Sequence, residues 1–183
     1  MADRYTVPGM EPEAARQVAE TLQARLNAMI DLQLTLKHIH WNVVGPTFIG
    51  VHEMLDPQVD AVRLMSDDLA ERIATLGYEP AGTPGYVAKH RSWEDYSIGR
   101  APTQEHLAAL DVVYRGIISD HRQAIEKFDD LDLISQDMLI EQSEKLEMYQ
   151  WFVRAHLEDR GGHMAHEGAT TEQGAAEAVA EQR

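Results

Sequence analysis

The chain has 183 residues, enough for one domain with a substantial core, and no cysteine, which excludes disulfides and thiolate metal sites. Its 16 basic residues are set against 31 acidic ones, a formal net charge of -15. Such a surface repels nucleic-acid phosphates and anionic lipid, and it concentrates cations.

The opening residues MADRYTVPGMEPEAARQ lack an apolar signal-like core. No run approaches the roughly 18 apolar residues a membrane helix needs, so a cytoplasmic protein without membrane contact is expected. An arm over 1–10 precedes the first predicted helix, from about Glu11 to Ile39. Pro12 suits its first turn, and Val18, Leu22, Leu26, Met29, Gln33 and Leu36 share a stripe. Asn42 to Thr47 (NVVGPT) is a short turn that makes the second helix an antiparallel neighbour. That helix spans about Phe48 to Leu76, with Val51, Leu55, Val59, Val62, Leu69 and Ile73 inward and Gly77 as its stop. Asp56-Pro57 also reads as an N-cap and first turn, so the helix starts either near 48, with a kink at Pro57, or at 57.

Gly77 to Pro102 is too long for a tight turn and must cross the bundle, with a short helical piece expected around Trp93 to Tyr96. Thr103 opens the third long helix, with Leu107, Leu110, Val113, Ile117, Ile118 and Ile125. The fourth starts near Ser135 and runs through Leu139, Leu146, Phe152, Val153 and Leu157 to Gly161-Gly162. Short, long, short connections describe an all-α, ferritin-like four-helix bundle with one long crossover, over residues 11–160. Residues 161–183 lack an apolar stripe and read as a flexible tail.

Five potential ligands fall between the first two helices: His40, His52, Asp56, Asp67 and Glu71. Imidazole and carboxylate without thiolate suit a redox-active or hard-to-borderline divalent metal. The paired Glu-x-x-His motifs of an intra-bundle di-iron site are absent, as is His-Glu-x-x-His, so the bundle centre should be apolar core. Asp56 and Glu71 lie fifteen residues apart on one helix, roughly 22 Å at about 1.5 Å per residue, beyond the reach of one ion. His52 and Asp56 are four apart on one face, and so are Asp67 and Glu71. Two such helices packed antiparallel about a dyad near residues 61–62 bring the first pair of one chain onto the second pair of the other. The short turn adds His40. The site is then completed twice in each isologous dimer.

The run LKHIHWNVVGPTFIGVHEMLD, with Asp67 fifteen residues after His52 inside DDLAE, resembles the Dps mini-ferritins, DNA-binding proteins from starved cells. HWN, VHEMLD and Asp-x-x-x-Glu match that family's ferroxidase signature. The resemblance implies a hollow dodecamer that oxidises Fe(II), preferably with hydrogen peroxide, and stores the ferric mineral, with no organic cofactor. It also implies that His40, His52 and Asp56 come from one subunit and Asp67 and Glu71 from its two-fold partner. Fe(II) would bind most strongly at Asp67, Glu71 and His40, with His52 and Asp56 holding a weaker second iron or a bridging water. Trp41 stands beside a ligand, as a sacrificial electron donor or as packing at the dimer seam. His38 reads as structural.

The acidic run Glu126, Asp129, Asp130, Asp132 and Asp137 lies where the family places three-fold pores, with Asp137 the preferred pore residue. DNA binding departs from the family pattern. Arg183 is the only basic residue after Arg160, Arg4 the only one before Arg16, and twelve chains would carry 12 × 15, or 180, net negative charges. Neutralising phosphates needs several Lys or Arg contacts, so direct DNA binding is disfavoured. An iron-storing ferroxidase is the leading expectation. A nucleoid-associated DNA-compacting protein is the alternative. His163 and His166 read as part of the polar tail, or as a stray metal pair.

Overall fold

The structure is a computed structural model, describing residues 5–181. Four long helices form the bundle: α1 (Pro12–Asn42), α2 (Phe48–Thr75), α4 (Thr103–Phe128) and α5 (Leu133–Ala155). α1 packs mainly on α2 and α4 mainly on α5; the α1–α4 and α2–α5 contacts close the ring. The core is the predicted stripes brought together: Leu22, Met29, Leu36, Leu55, Val62, Leu69, Leu107, Leu139, Leu146 and Val153 are all buried. Each large aliphatic side chain so removed from water contributes roughly 1.5–3 kcal/mol.

The second helix begins at Phe48 and passes through Pro57 as one continuous element, which settles its start. It ends in a Schellman motif. The Gly77 amide donates to Ala74 O at 2.9 Å and the Tyr78 amide to Ile73 O at 3.1 Å. Gly77 takes φ +86°, and a Cβ there would lie 1.8 Å from the Tyr5 carbonyl oxygen, so the N-terminal strand of chain crosses directly over it.

Two corrections to the expected elements follow. The crossover's short helix is α3 (Pro84–His90), not residues 93–96, because Pro84 sets its first turn. Trp93 instead lies outside any helix and donates from Nε1 to Asp31 Oδ2 at 2.8 Å, fastening the crossover to α1. The segment after Gly161 is not a structureless tail in its described part. α6 (Glu172–Ala180) packs along α4 with Ala175 and Ala176 buried, alanine being small enough for close helix approach without a stripe of large side chains. Arg4 and Arg183 lie outside the described residues.

The turn between α1 and α2 is held from outside. Its two-residue strand β1 (Val43–Val44) pairs in parallel with β2 (Ala101–Pro102), which ends the crossover. Gly45 takes φ +112°, and Thr47 Oγ1 lies 2.8 Å from Thr103 Oγ1. The end of α1 and the start of α2 are thereby fixed against α4. Among the described residues no helix is long and apolar enough to cross a membrane.

Candidate metal centre

His40 occupies the last turn of α1 and is buried, while His52 lies in the second turn of α2 and is half-buried. They are locked reciprocally. His40 Nδ1 lies 2.9 Å from His52 O, and His52 Nδ1 lies 2.9 Å from His40 O. A carbonyl only accepts, so both Nδ1 atoms carry the proton and both Nε2 atoms keep a lone pair. This is the tautomer a histidine needs to ligate a metal through Nε2, held by the backbone-carbonyl bond that often accompanies such ligands. The two rings stack at 3.6 Å, and the Phe48 ring covers His52 at 5.0 Å.

Asp56, one turn beyond His52, brings Oδ1 to 3.3 Å from His40 Nδ1. The same oxygen accepts from Lys37 Nζ at 2.9 Å. The Lys37 bond is the main reason the Asp56 carboxyl is held below its usual value. Lys37 also stands over the Trp41 ring, at 5.9 Å from its centroid. Neither Lys37 nor Phe48 was singled out by sequence reasoning. The only available signal was the position of Lys37 near His40 on α1, which says nothing about a contact nineteen residues away.

The structure therefore assembles His40, His52 and Asp56 at one end of α2. Asp67 and Glu71 lie exposed in the second half of the same unbroken helix, eleven and fifteen residues further on. Among the described residues no group of three or more His, Cys, Asp or Glu is arranged to hold a metal ion within one chain. On the same two helices Leu34, Trp41, Ile49 and Leu64 are all more than half exposed. Trp41 stays at the surface, at 71 % exposure.

Other predicted residues fall out differently. His38 is structural, with Nε2 bonded to Ile98 O at 2.8 Å. Asp132 is not a free pore carboxylate. It caps α5 by accepting from the Ser135 amide and receives Arg72 Nη2 at 2.7 Å. Asp129 accepts from Gln136, while Glu126, Asp130 and Asp137 are exposed. His163 is exposed, but His166 is buried, with Nε2 3.0 Å from Asp111 Oδ2. They do not form a pair.

A family model described as a ferritin-like domain matches residues 19–160. The DNA protection during starvation protein of Mycolicibacterium smegmatis is 60% identical over 173 residues, 94% of this chain and 94% of that protein. Among solved structures, Mycobacterium smegmatis Dps superposes with a TM-score of 0.91 at 59% identity, covering 92% of this chain and 96% of the other. DpsA14 from Streptomyces coelicolor gives 0.87 at 58% identity, over 88% and 96%.

Proposed function

Since the chain belongs to the Dps family, within the ferritin-like proteins, we propose that it is an iron-oxidising and iron-storing cage protein, a dodecamer built from two-fold dimers and working in the cytoplasm. The observation that carries this reading is the His40–His52 lock. It frees two imidazole nitrogens at one end of a helix whose other end presents Asp67 and Glu71. Packed antiparallel about a dyad, two copies of α2 complete two centres, each with His40, His52 and Asp56 from one chain and Asp67 and Glu71 from its neighbour.

Iron is the substrate. The partner's carboxylates and the freed Nε2 atoms offer a mixed nitrogen and oxygen set that holds Fe(II) and then favours Fe(III). Two Fe(II) ions give one electron each to hydrogen peroxide, which is reduced to two hydroxide ions. Both reagents of hydroxyl-radical chemistry are thereby consumed. Lys37 competes with an arriving cation for the Asp56 carboxylate, whose Oδ1 accepts its ammonium.

The direct test is oxidation of Fe(II) by peroxide, followed by ferric absorbance. Asp67→Ala and Glu71→Ala should each slow it by about 10–100-fold with the particle still assembled, the range typical when support for a metal is lost. Unchanged rates in both would overturn the assignment.

A further inference from the structure

A groove of about 460 Å³ opens between α1, α4, the end of the crossover and the first turn of α6. That volume is typical of small-molecule sites. None of the five candidate metal ligands lines it. Its floor is apolar, made by Val112, Val113 and Ile117 of α4, Ala28 of α1 and Trp93. Trp93 is held there by the bond from Nε1 to Asp31. Gly116, in the interior of α4, lies one turn after the two valines and just before Ile117. Glycine weakens a helix interior relative to alanine. No close approach of another element calls for it here, since a Cβ at Gly116 would meet nothing within 4 Å. What the missing side chain leaves is open floor in the groove.

The walls of the groove are acidic. Asp31, Glu94, Asp95, Asp120 and Glu172 line it, and no Lys, Arg or His does. Arg91 reaches Asp31 at 3.2 Å and also pairs with Asp95, while Arg25 reaches Asp120 at 3.0 Å. Among the described residues Glu172 has no such cation. It opens α6 and is half-buried; its Oε2 accepts from the Ser97 amide at 3.0 Å, and Oε1 makes no bond. Burial raises the Glu172 carboxyl above its usual value, and the Asp31 and Asp95 charges add to this; the Ser97 bonds offset only part of it. A half-buried carboxylate beside an apolar floor calls for a counter-charge. A metal ion is a poor fit, because among the described residues no three such groups are arranged to hold one. We propose that the groove binds a small organic amine, with its apolar body over Gly116 and its ammonium on Glu172.

The ammonium donates to the free Glu172 Oε1, and a bond between two ionised groups is stronger than a neutral one. An aromatic or branched body covers the valines, Ile117 and Trp93 and removes apolar surface from water. An anion of the same shape meets five carboxylates, and a bare cation gains nothing from the floor. Residues 170–173 form one wall, so the groove exists only while the C-terminal segment is docked. A ligand that binds the docked form stabilises it by mass action. Occupancy of the groove is thereby coupled to the seating of α6, which otherwise rests on the small side chains of Ala175 and Ala176.

Tryptamine, tryptophol and indole-3-acetate share one bicyclic body and differ in charge, so calorimetric titration of the whole protein separates shape from charge. Tryptamine should bind once per chain at physiological salt, at least about tenfold tighter than tryptophol, the worth of a bond to a charged group. Indole-3-acetate should not bind. Glu172→Gln should remove the preference for the amine and leave tryptophol binding unchanged. Gly116→Phe keeps every charge but fills the floor, so it should abolish binding of both; Gly116→Leu replaces it should the first variant fail to fold. Crystals soaked in tryptamine should show the indole over Gly116 and the nitrogen at Glu172, and hydrogen exchange in α6 should slow on binding. Equal affinity for amine and alcohol overturns the assignment of a cation. Tryptamine binding that is unchanged in a folded Gly116 variant is diffuse attraction to an acidic surface, and it overturns the site. So does the absence of saturable binding, or α6 exchange unaltered at saturation.

Discussion

Which nitrogen of a histidine faces outward is a residue-scale matter, and here it is decided by two main-chain carbonyls. The exchange between His40 and His52 fixes both tautomers, so the metal binding proposed for them would need little reorganisation. Lys37 acts against this preparation by occupying Asp56. Because the Asp56 side of that pair is half-exposed, its hold is weak and sensitive to salt. Lys37→Gln should therefore tighten binding of redox-inert Co(II) a few-fold at low ionic strength, with the gain shrinking as salt is added. Calorimetric titration measures it, and weaker binding would show instead that Lys37 positions Asp56. The identities of the five candidate ligands were legible in the sequence. Lys37 was not, because its contact with Asp56 exists only after the turn at Gly45 folds α1 back along α2.

At the scale of elements, α2 is a single unbroken rod, and the proposal that its two ends carry complementary half-sites is open to a mixing experiment. His52→Ala and Asp67→Ala chains, each strongly slowed alone, should recover about a quarter of the native fast iron-oxidising sites when co-assembled in equal amounts, since a quarter of random pairings join two intact halves. Sites contained within one chain would recover none. The C-terminal segment makes a second point at this scale. Its alanine-rich composition reads as polar tail because no large apolar residue recurs. Yet His166 reaches Asp111 across 55 residues, and α6 lies on α4. Burial pushes the Asp111 carboxyl up, but the bonds from His166, Arg154 and Gln150 outweigh it and hold the group at about 2. A lowered folded-state value means that the stabilisation is complete above the unfolded value near 3.8 and is lost as pH falls toward about 2. Asp111→Asn should thus lower stability at neutral pH by about 2 kcal/mol. The gap to the native protein should close across that acid window in thermal melts. A gap unchanged in acid would mean that packing, not the charge, is lost.

For the whole molecule, the expectation is a particle of twelve times the chain mass of 20.6 kDa, readable by native mass spectrometry. With a net charge of -15 per chain, such a particle should not retard duplex DNA at physiological salt. A tight, salt-resistant gel shift would favour the nucleoid reading instead.

Helix periodicity, the short turn, the long crossover and the spacing of His40, His52, Asp56, Asp67 and Glu71 were written in the sequence itself, because each depends on residues within a few turns of one another. The expectation of an apolar bundle centre did not hold throughout, since Arg25, His121 and Gln142, from three helices, are buried by packing. Tertiary structure alone likewise decided the free histidine nitrogens, the Lys37–Asp56 pair, the burial of His166 and the seat of α6. The physical reason is common to all of them: these groups lie far apart along the chain, and their donors, acceptors and charges acquire partners only when separate elements meet.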